Sequence, residues 1–230
     1  MFKLIKLEIR KNRLLNYWKG IAIANISFIA FLSMIYFVEN NDGNIIFENF
    51  EMAVSIVNTV VRAIFIIFTA VIITKLVIDE YKDKSIGLMF TYPIKRKKIM
   101  ASKLIIIVMF TFVNVLFSTL FISGLIYLGD GLFNIIPGEI ERAELLRQIL
   151  IIFLYALATA GLSLIPIFFG MLRKSAPATI VSSIFLASFT GSTGNNFNMF
   201  SIIAIPISLA LIGIFIGWMS IRNIEKVDTL

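Results

Sequence analysis

The 230-residue sequence contains no cysteine and no histidine. Without cysteine there is no disulfide, no thiolate metal site and no thiol nucleophile. Without histidine a zinc-dependent intramembrane protease is excluded, because that chemistry holds its metal with a His pair. Serine hydrolysis with a histidine base is excluded for the same reason. Charge is also scarce: 15% of residues are charged, against about 25% in a soluble domain. No Asp or Glu falls inside the long apolar runs, which argues against an aspartyl intramembrane protease and against a proton-coupled transporter, which generally needs a titratable relay. No G-x-x-x-x-G-K-[ST] phosphate loop is present, so ATP-powered transport requires a second subunit.

What is abundant is apolar. Hydrophobic residues make up 59% of the chain, above the roughly 45–50% of soluble domains, and they fall in long runs at 20–38, 53–78, 104–128, 149–172, 178–189 and 199–221. Runs of this length read as membrane spans. The expectation is an all-α membrane protein with six transmembrane helices in one domain, residues 1–230. The second run is long enough to tilt or to project from one face. Pro137 followed by Glu139 and Glu141 marks a helix start before the fourth. The fifth run is too short to cross alone, and residues 190–198 (TGSTGNNFN) are rich in turn formers. Two readings stand there: a broken or re-entrant pair, whose irregular backbone must face protein or a wet cavity, or an exposed loop after a longer fifth span.

The net charge of +7 lies beside these runs rather than in a nucleic-acid patch. Seventeen Lys and Arg residues fall in four segments: the N-terminal segment, residues 79–103, the Arg173–Lys174 turn and the C-terminal tail. The intervening loops hold only Arg142 and Arg147. The positive-inside rule then places both termini in the cytoplasm, and the Ile-, Lys- and Asn-rich composition fits an AT-rich bacterium, hence a bacterial cytoplasmic membrane. Residues 1–19 read as a basic amphipathic helix at the interface, with Leu4, Leu7, Leu14, Leu15 and Trp18 as its apolar stripe over 2–18; a plain basic flank is the alternative. Its long basic stretch and the lack of a small-residue cleavage site are unlike a cleavable signal peptide.

Within the second run, Lys75 is placed to snorkel. Arg62 has two readings, a snorkel to the far headgroups or a cation lining a pathway. Asn25, Asn58 and Asn114 are expected to form interhelical hydrogen bonds, and Gly213 with Gly217 permits a close contact, weakly suggesting a dimer interface.

The loop after the second run, IDEYKDKSIGLMFTYPIKRKKIMASK over 78–103, is more than a basic flank. Leu88, Met89 and Phe90 form an apolar group between charged stretches, and Tyr92-Pro93 stops a helix. An apolar group facing solvent suggests docking. The run resembles the first cytoplasmic loop of type-2 ABC exporter permeases. Glu80, Lys84, Ser85, Leu88, Met89, Pro93, Arg96 and Lys103 fill the places of that pattern, with Ser85 where Thr is commoner and Gly87 as added slack. The layout of an interfacial helix, six spans and a polar break between the last two is similar as well.

The resemblance implies that 79–103 carries a cytoplasmic coupling helix seated in a groove of an ABC ATPase subunit, with Glu80, Lys84, Ser85, Leu88, Met89, Phe90 and Pro93 at the contact. It implies a second six-span permease, as homodimer or heterodimer, and ATP and magnesium bound by the partner rather than by this chain. In size and layout the sequence looks most like permeases of Firmicute bacitracin, lantibiotic and modulin-peptide exporters, which implies a peptide substrate. The expectation is a non-enzymatic subunit in a lipid bilayer, without nucleic acid. The rival classes are an ATP-independent transporter or channel and a non-transporting assembly or sensor subunit; a neighbouring ATPase gene favours the exporter.

Because the chain has no cysteine, its topology is directly testable. Cysteines introduced at Asn41 and Asn195 react with an impermeant thiol reagent applied from outside; labelling of either only after lysis overturns the orientation.

Overall fold

A computed structural model describes residues 2–12, 14–41, 47, 49–82, 96–133, 135–137, 142–191, 193–194, 197–198 and 204–223. The chain opens with α1 (Phe2–Lys11) and a short 3₁₀ turn (Leu14–Tyr17), followed by α2 (Trp18–Asn41). Next come α3 (Phe50–Ile73), a π-helical segment (Thr74–Ile78) and α4 (Asp79–Lys82), which run on from one another. The remaining helices among the described residues are α5 (Arg96–Phe133), α6 (Arg142–Leu162), α7 (Ile165–Arg173), α8 (Ala176–Gly191) and α9 (Ala204–Asn223). Two-residue strands, Thr193–Gly194 and Phe197–Asn198, pair antiparallel between α8 and α9. Among the described residues, four segments are long and apolar enough to cross a membrane: Trp18–Glu39, Phe50–Ile78, Lys97–Leu132 and Arg142–Arg173. The apolar stretches Ala176–Gly191 and Ile205–Ser220 are shorter.

Local chemistry sets several boundaries. Asn49 caps α3, its side chain accepting from the Met52 N–H at 2.8 Å, and Glu51 adds negative charge to the first turn. The expected continuous helix over 149–172 is instead broken at Ser163 and Leu164, because Pro166 has no N–H and its ring excludes the carbonyl four residues back. α1 stops at Lys11 rather than running to residue 18; Asn12 Nδ2 donates to the Glu8 carbonyl at 3.1 Å and takes up part of the helix end. Its packed face also differs from the expected stripe. Ile5 and Ile9 pack on the core while Leu7 is exposed.

The end of the molecule that carries α1 is called the base here. Its core joins Leu14, Ile72, Ile73, Leu76, Met100, Ile107 and Ile167. Toward the far end α3, α5 and α6 pack through Val57, Val61, Val115, Ile122 and Ala156, and then through Phe50, Ala53, Val54 and Ile152. α8 lies along α3. At the base Gly170 sits against Ile78 and Thr179, and at its other end Gly191 approaches Thr59. α8 therefore ends nine to twelve residues short of the start of α3 at Phe50, roughly 14–18 Å inside it at 1.5 Å per residue.

Gly213 and Gly217 find their neighbours within the chain rather than across a dimer. A Cβ on Gly213 would fall on the Gly161 carbonyl, and one on Gly217 would lie 3.1 Å from Leu164. Apolar side chains gain little by leaving lipid for one another, so close backbone approach is what holds such helices together. Gly213→Val is expected to lower the melting temperature in detergent by several degrees, the overpacking cost being about 1–3 kcal/mol. Gly124→Ala, where an added Cβ meets nothing within 4 Å, is expected to be neutral; equal losses would refute the close contact.

Candidate functional site

Of the residues expected at the ATPase contact, Glu80 is described; Lys84, Ser85, Leu88, Met89, Phe90 and Pro93 lie outside the described residues. Glu80 sits on α4, three residues before the 83–95 segment, and is 8% exposed. Lys103 sits on the first turns of α5, beyond the other end of that segment, and is 3% exposed. Lys103 Nζ donates to Glu80 Oε2 in a short, buried contact. It also donates to the Leu76 carbonyl at 2.6 Å, a backbone oxygen of the π-helical segment. π segments of this kind occur often at functional sites.

The amphipathic helix closes the group. Lys11 Nζ lies 2.9 Å from Glu80 Oε1, and Glu8 Oε2 lies 4.0 Å from Lys103 Nζ. Asn12 Nδ2 donates to Glu8 Oε2 at 3.1 Å. Two carboxylates and two ammoniums thus join α1, α4 and α5 at the base, with Lys103 and both acids buried and Lys11 half exposed. Buried charges are tolerated only in such paired, hydrogen-bonded arrangements. The node is a clamp that brings the two flanks of the 83–95 segment together against α1.

The other polar positions resolve differently. Lys75 is exposed near the base with its ammonium 5.6 Å from the Tyr17 ring centre. Arg62 does not snorkel: it is 3% exposed, and its Nη2 donates to the Thr190 carbonyl at 2.9 Å. A cation at the C-terminal end of α8 is favourably placed on its dipole. Asn114 bonds the Phe110 carbonyl of its own helix at 2.6 Å rather than another helix, and Asn58 Nδ2 has no partner among the described residues. Thr69 with Thr111, at 2.8 Å, supplies an interhelical bond that the asparagines were expected to make.

Sequence reasoning missed Glu8, although it is the lone acid among the first 38 residues. That isolation in a basic stretch was the available signal. The roles of the Leu76 and Thr190 carbonyls had none, since a backbone acceptor leaves no mark in sequence.

Over residues 4–194 the chain matches the family described as ABC-2 family transporter protein. It is 42% identical, over 225 residues covering 98% of this chain and 99% of the other, to "Uncharacterized protein YcbO" of Bacillus subtilis (strain 168). No solved structure matches it.

Removing one partner of a buried pair leaves an uncompensated charge and costs about 3–5 kcal/mol, whereas an exposed pair contributes roughly 0–1 kcal/mol. Lys103→Met is therefore expected to lower the melting temperature far more than Lys11→Met. Adding Glu80→Leu to Lys103→Met is expected to recover part of the loss. Thermal unfolding in detergent of the three variants checks the order, and equal effects of the two single changes would count against the clamp.

Proposed function

Because the chain belongs to the ABC-2 family of transporter proteins, we propose that it is the permease of an ATP-driven exporter of amphipathic or antimicrobial peptides, energised through its 79–103 loop. It is a multi-pass membrane protein and a transmembrane subunit of an ABC transporter. Such permeases are transport subunits of a larger machine and generally non-enzymatic; they normally work with an ABC ATPase and form dimers.

The observation that carries the energy reading is the buried clamp. A loop that is to receive a push must deliver it to the spans. Glu80 and Lys103 fix its two flanks to the ends of α4 and α5, and Glu8 and Lys11 add α1. In this reading Glu80 braces the coupling segment from below, while Lys84, Ser85, Leu88, Met89, Phe90 and Pro93 meet the ATPase, which binds ATP and magnesium. The exposed face of α1, with Leu7 at 63% exposure, rests on headgroups. The six apolar helices form six spans with both termini in the cytoplasm. The peptide reading rests on 22 Phe and 9 Met among few fixed charges, which suits adaptable apolar contact rather than recognition of one polar solute. Arg62 is the cation along the path.

Purification of the tagged chain is expected to bring down an ABC ATPase whose hydrolysis rises with an amphipathic peptide. Anchor truncations at interfaces cost about 2 kcal/mol or more, so Met89→Ala with Phe90→Ala should weaken ATPase binding by about 30-fold or more. Lys97→Ala should change it less than about fivefold. Full binding and coupling in the double variant would remove the loop from the mechanism. Unchanged peptide tolerance in a strain lacking the permease would remove the substrate class.

A further inference from the structure

Where the chain leaves the 3₁₀ turn and enters α2, Tyr17, Trp18 and Lys19 follow one another. Aromatic neighbours hold this junction in place. The Tyr17 ring meets Phe68 of α3 edge to face at 5.8 Å, and Phe68 stacks on Phe110 of α5 at 6.3 Å. A Cβ on Gly20 would lie 3.2 Å from Phe68, so the start of α2 presses on the same ring. The Trp18 ring stands 6.5 Å from Phe117 and is 52% exposed. From the π-helical segment, Lys75 brings its ammonium 5.6 Å from the Tyr17 ring centre. Lys19 and Lys75 are both exposed.

These four side chains share one chemistry. The Trp18 indole N–H and the two ammoniums can only donate, and the Tyr17 hydroxyl can donate as well. Among the described residues none of the four finds a hydrogen-bond acceptor or a carboxylate partner. A cation beside a ring gains from the ring quadrupole, but its three N–H bonds stay unmet. The acids that could serve are turned elsewhere. Glu8, the lone acid among the first 38 residues, and Glu80 are both buried against Lys103. Asp79, four residues beyond Lys75, makes no ion pair with it.

Trp18 opens the first apolar segment, and Lys75 lies three residues before the end of the second. The cluster therefore stands where apolar surface gives way to headgroups, the level at which Trp and Lys act as anchors. Ile23 and Ile26, 65% and 66% exposed, continue from Trp18 along α2 as a surface for acyl chains. A ligand that fits must accept hydrogen bonds, carry negative charge and bring an apolar tail. We propose that Tyr17, Trp18, Lys19 and Lys75 form a binding site for the headgroup of an anionic phospholipid, whose phosphate oxygens accept from the ammoniums and the indole. A zwitterionic lipid offers the same phosphate, but the two lysines repel its own cation. Each lysine near an anionic headgroup contributes about fivefold in affinity. The site depends on neither the cargo nor the ATPase.

The chain has two tryptophans, which makes the test local. Trp218→Phe leaves Trp18 as the sole indole emitter. Trp18→Phe leaves Trp218, 53% exposed on α9, as the control. Each variant is placed in phosphatidylcholine nanodiscs doped with brominated phosphatidylglycerol or brominated phosphatidylcholine, whose bromines quench a neighbouring indole. At Trp18 the apparent affinity for the glycerol lipid is expected to exceed that for the choline lipid about fivefold or more, with little difference at Trp218. Lys19→Gln with Lys75→Gln is expected to remove the preference, and Lys19→Arg with Lys75→Arg to keep it. Equal quenching of Trp18 by the two lipids overturns the inference, and so does a preference that survives the double Gln change. A preference of equal size at Trp218 means general surface attraction rather than a site, and overturns it too. Where the Gln variant fails to reach the membrane, the comparison of Trp18 with Trp218 decides alone.

Discussion

Lys103 is the residue on which the base of this molecule depends. Its ammonium is 3% exposed, in a chain whose core offers few anions, and an isolated charge at such a place would not stay ionised. It is held by Glu80, by the Leu76 carbonyl and by the field of Glu8. Glu80 and Leu76 belong to one continuous helix and Glu8 to α1, so satisfying one charge on α5 ties three segments together. α1 is drawn onto the bundle rather than left free on a surface, and the helix carrying Thr74–Ile78 ends where α5 begins. The arrangement is more specific than stabilising. Buried ion pairs gain little net energy over apolar packing of the same volume, but they permit only one alignment of the groups that make them.

Arg62 solves the same problem with a different acceptor. Its guanidinium turns to the end of α8, where the carbonyl of Thr190 has no donor further along the helix. A helix that ends inside the bundle must have its last carbonyls met there, because lipid cannot do it. The cation and the short helix therefore require each other. At the same level of the fold, glycine plays the corresponding part for packing: Gly161 and Gly213 let α6 and α9 approach until backbone meets backbone.

The positions of the apolar helices were legible in the sequence, because long hydrophobic runs are local signals. The break at Ser163 was equally local, through Pro166, but an unbroken apolar run outweighed it. The site was legible in part. Glu80 and Lys103 stood out through the resemblance, whereas their pairing with Glu8 and Lys11 depends on the direction in which α1 presents a face. A stripe that counts Leu7 and omits Ile5 and Ile9 turns that face away from the core. Arg62 and Thr190 lie 128 residues apart, and nothing in either neighbourhood announces the other. The asparagines misled for a reason of geometry. Asn114 can reach a carbonyl one turn back in its own helix, and that bond is always available, while a partner on another helix is not.

α5 connects the two polar regions. It runs unbroken from Arg96 to Phe133, about 57 Å at 1.5 Å per residue, well beyond a hydrocarbon core of about 30 Å. Lys103 stands near its first turn and Ser118, Thr119 and Ser123 stand farther along. An uninterrupted helix moves as a rod, so a tilt imposed at Lys103 appears along its whole length. The opposing wall is built otherwise. α6 and α7 are separated at Ser163, where the Leu164 N–H takes a carbonyl three residues back instead of four. Helix kinks of this origin are places where two halves can change angle. Thr111 of the rod and Ser163 of the joint touch at 3.5 Å. The point at which the stiff wall meets the jointed one is thus the buried trio of hydroxyls.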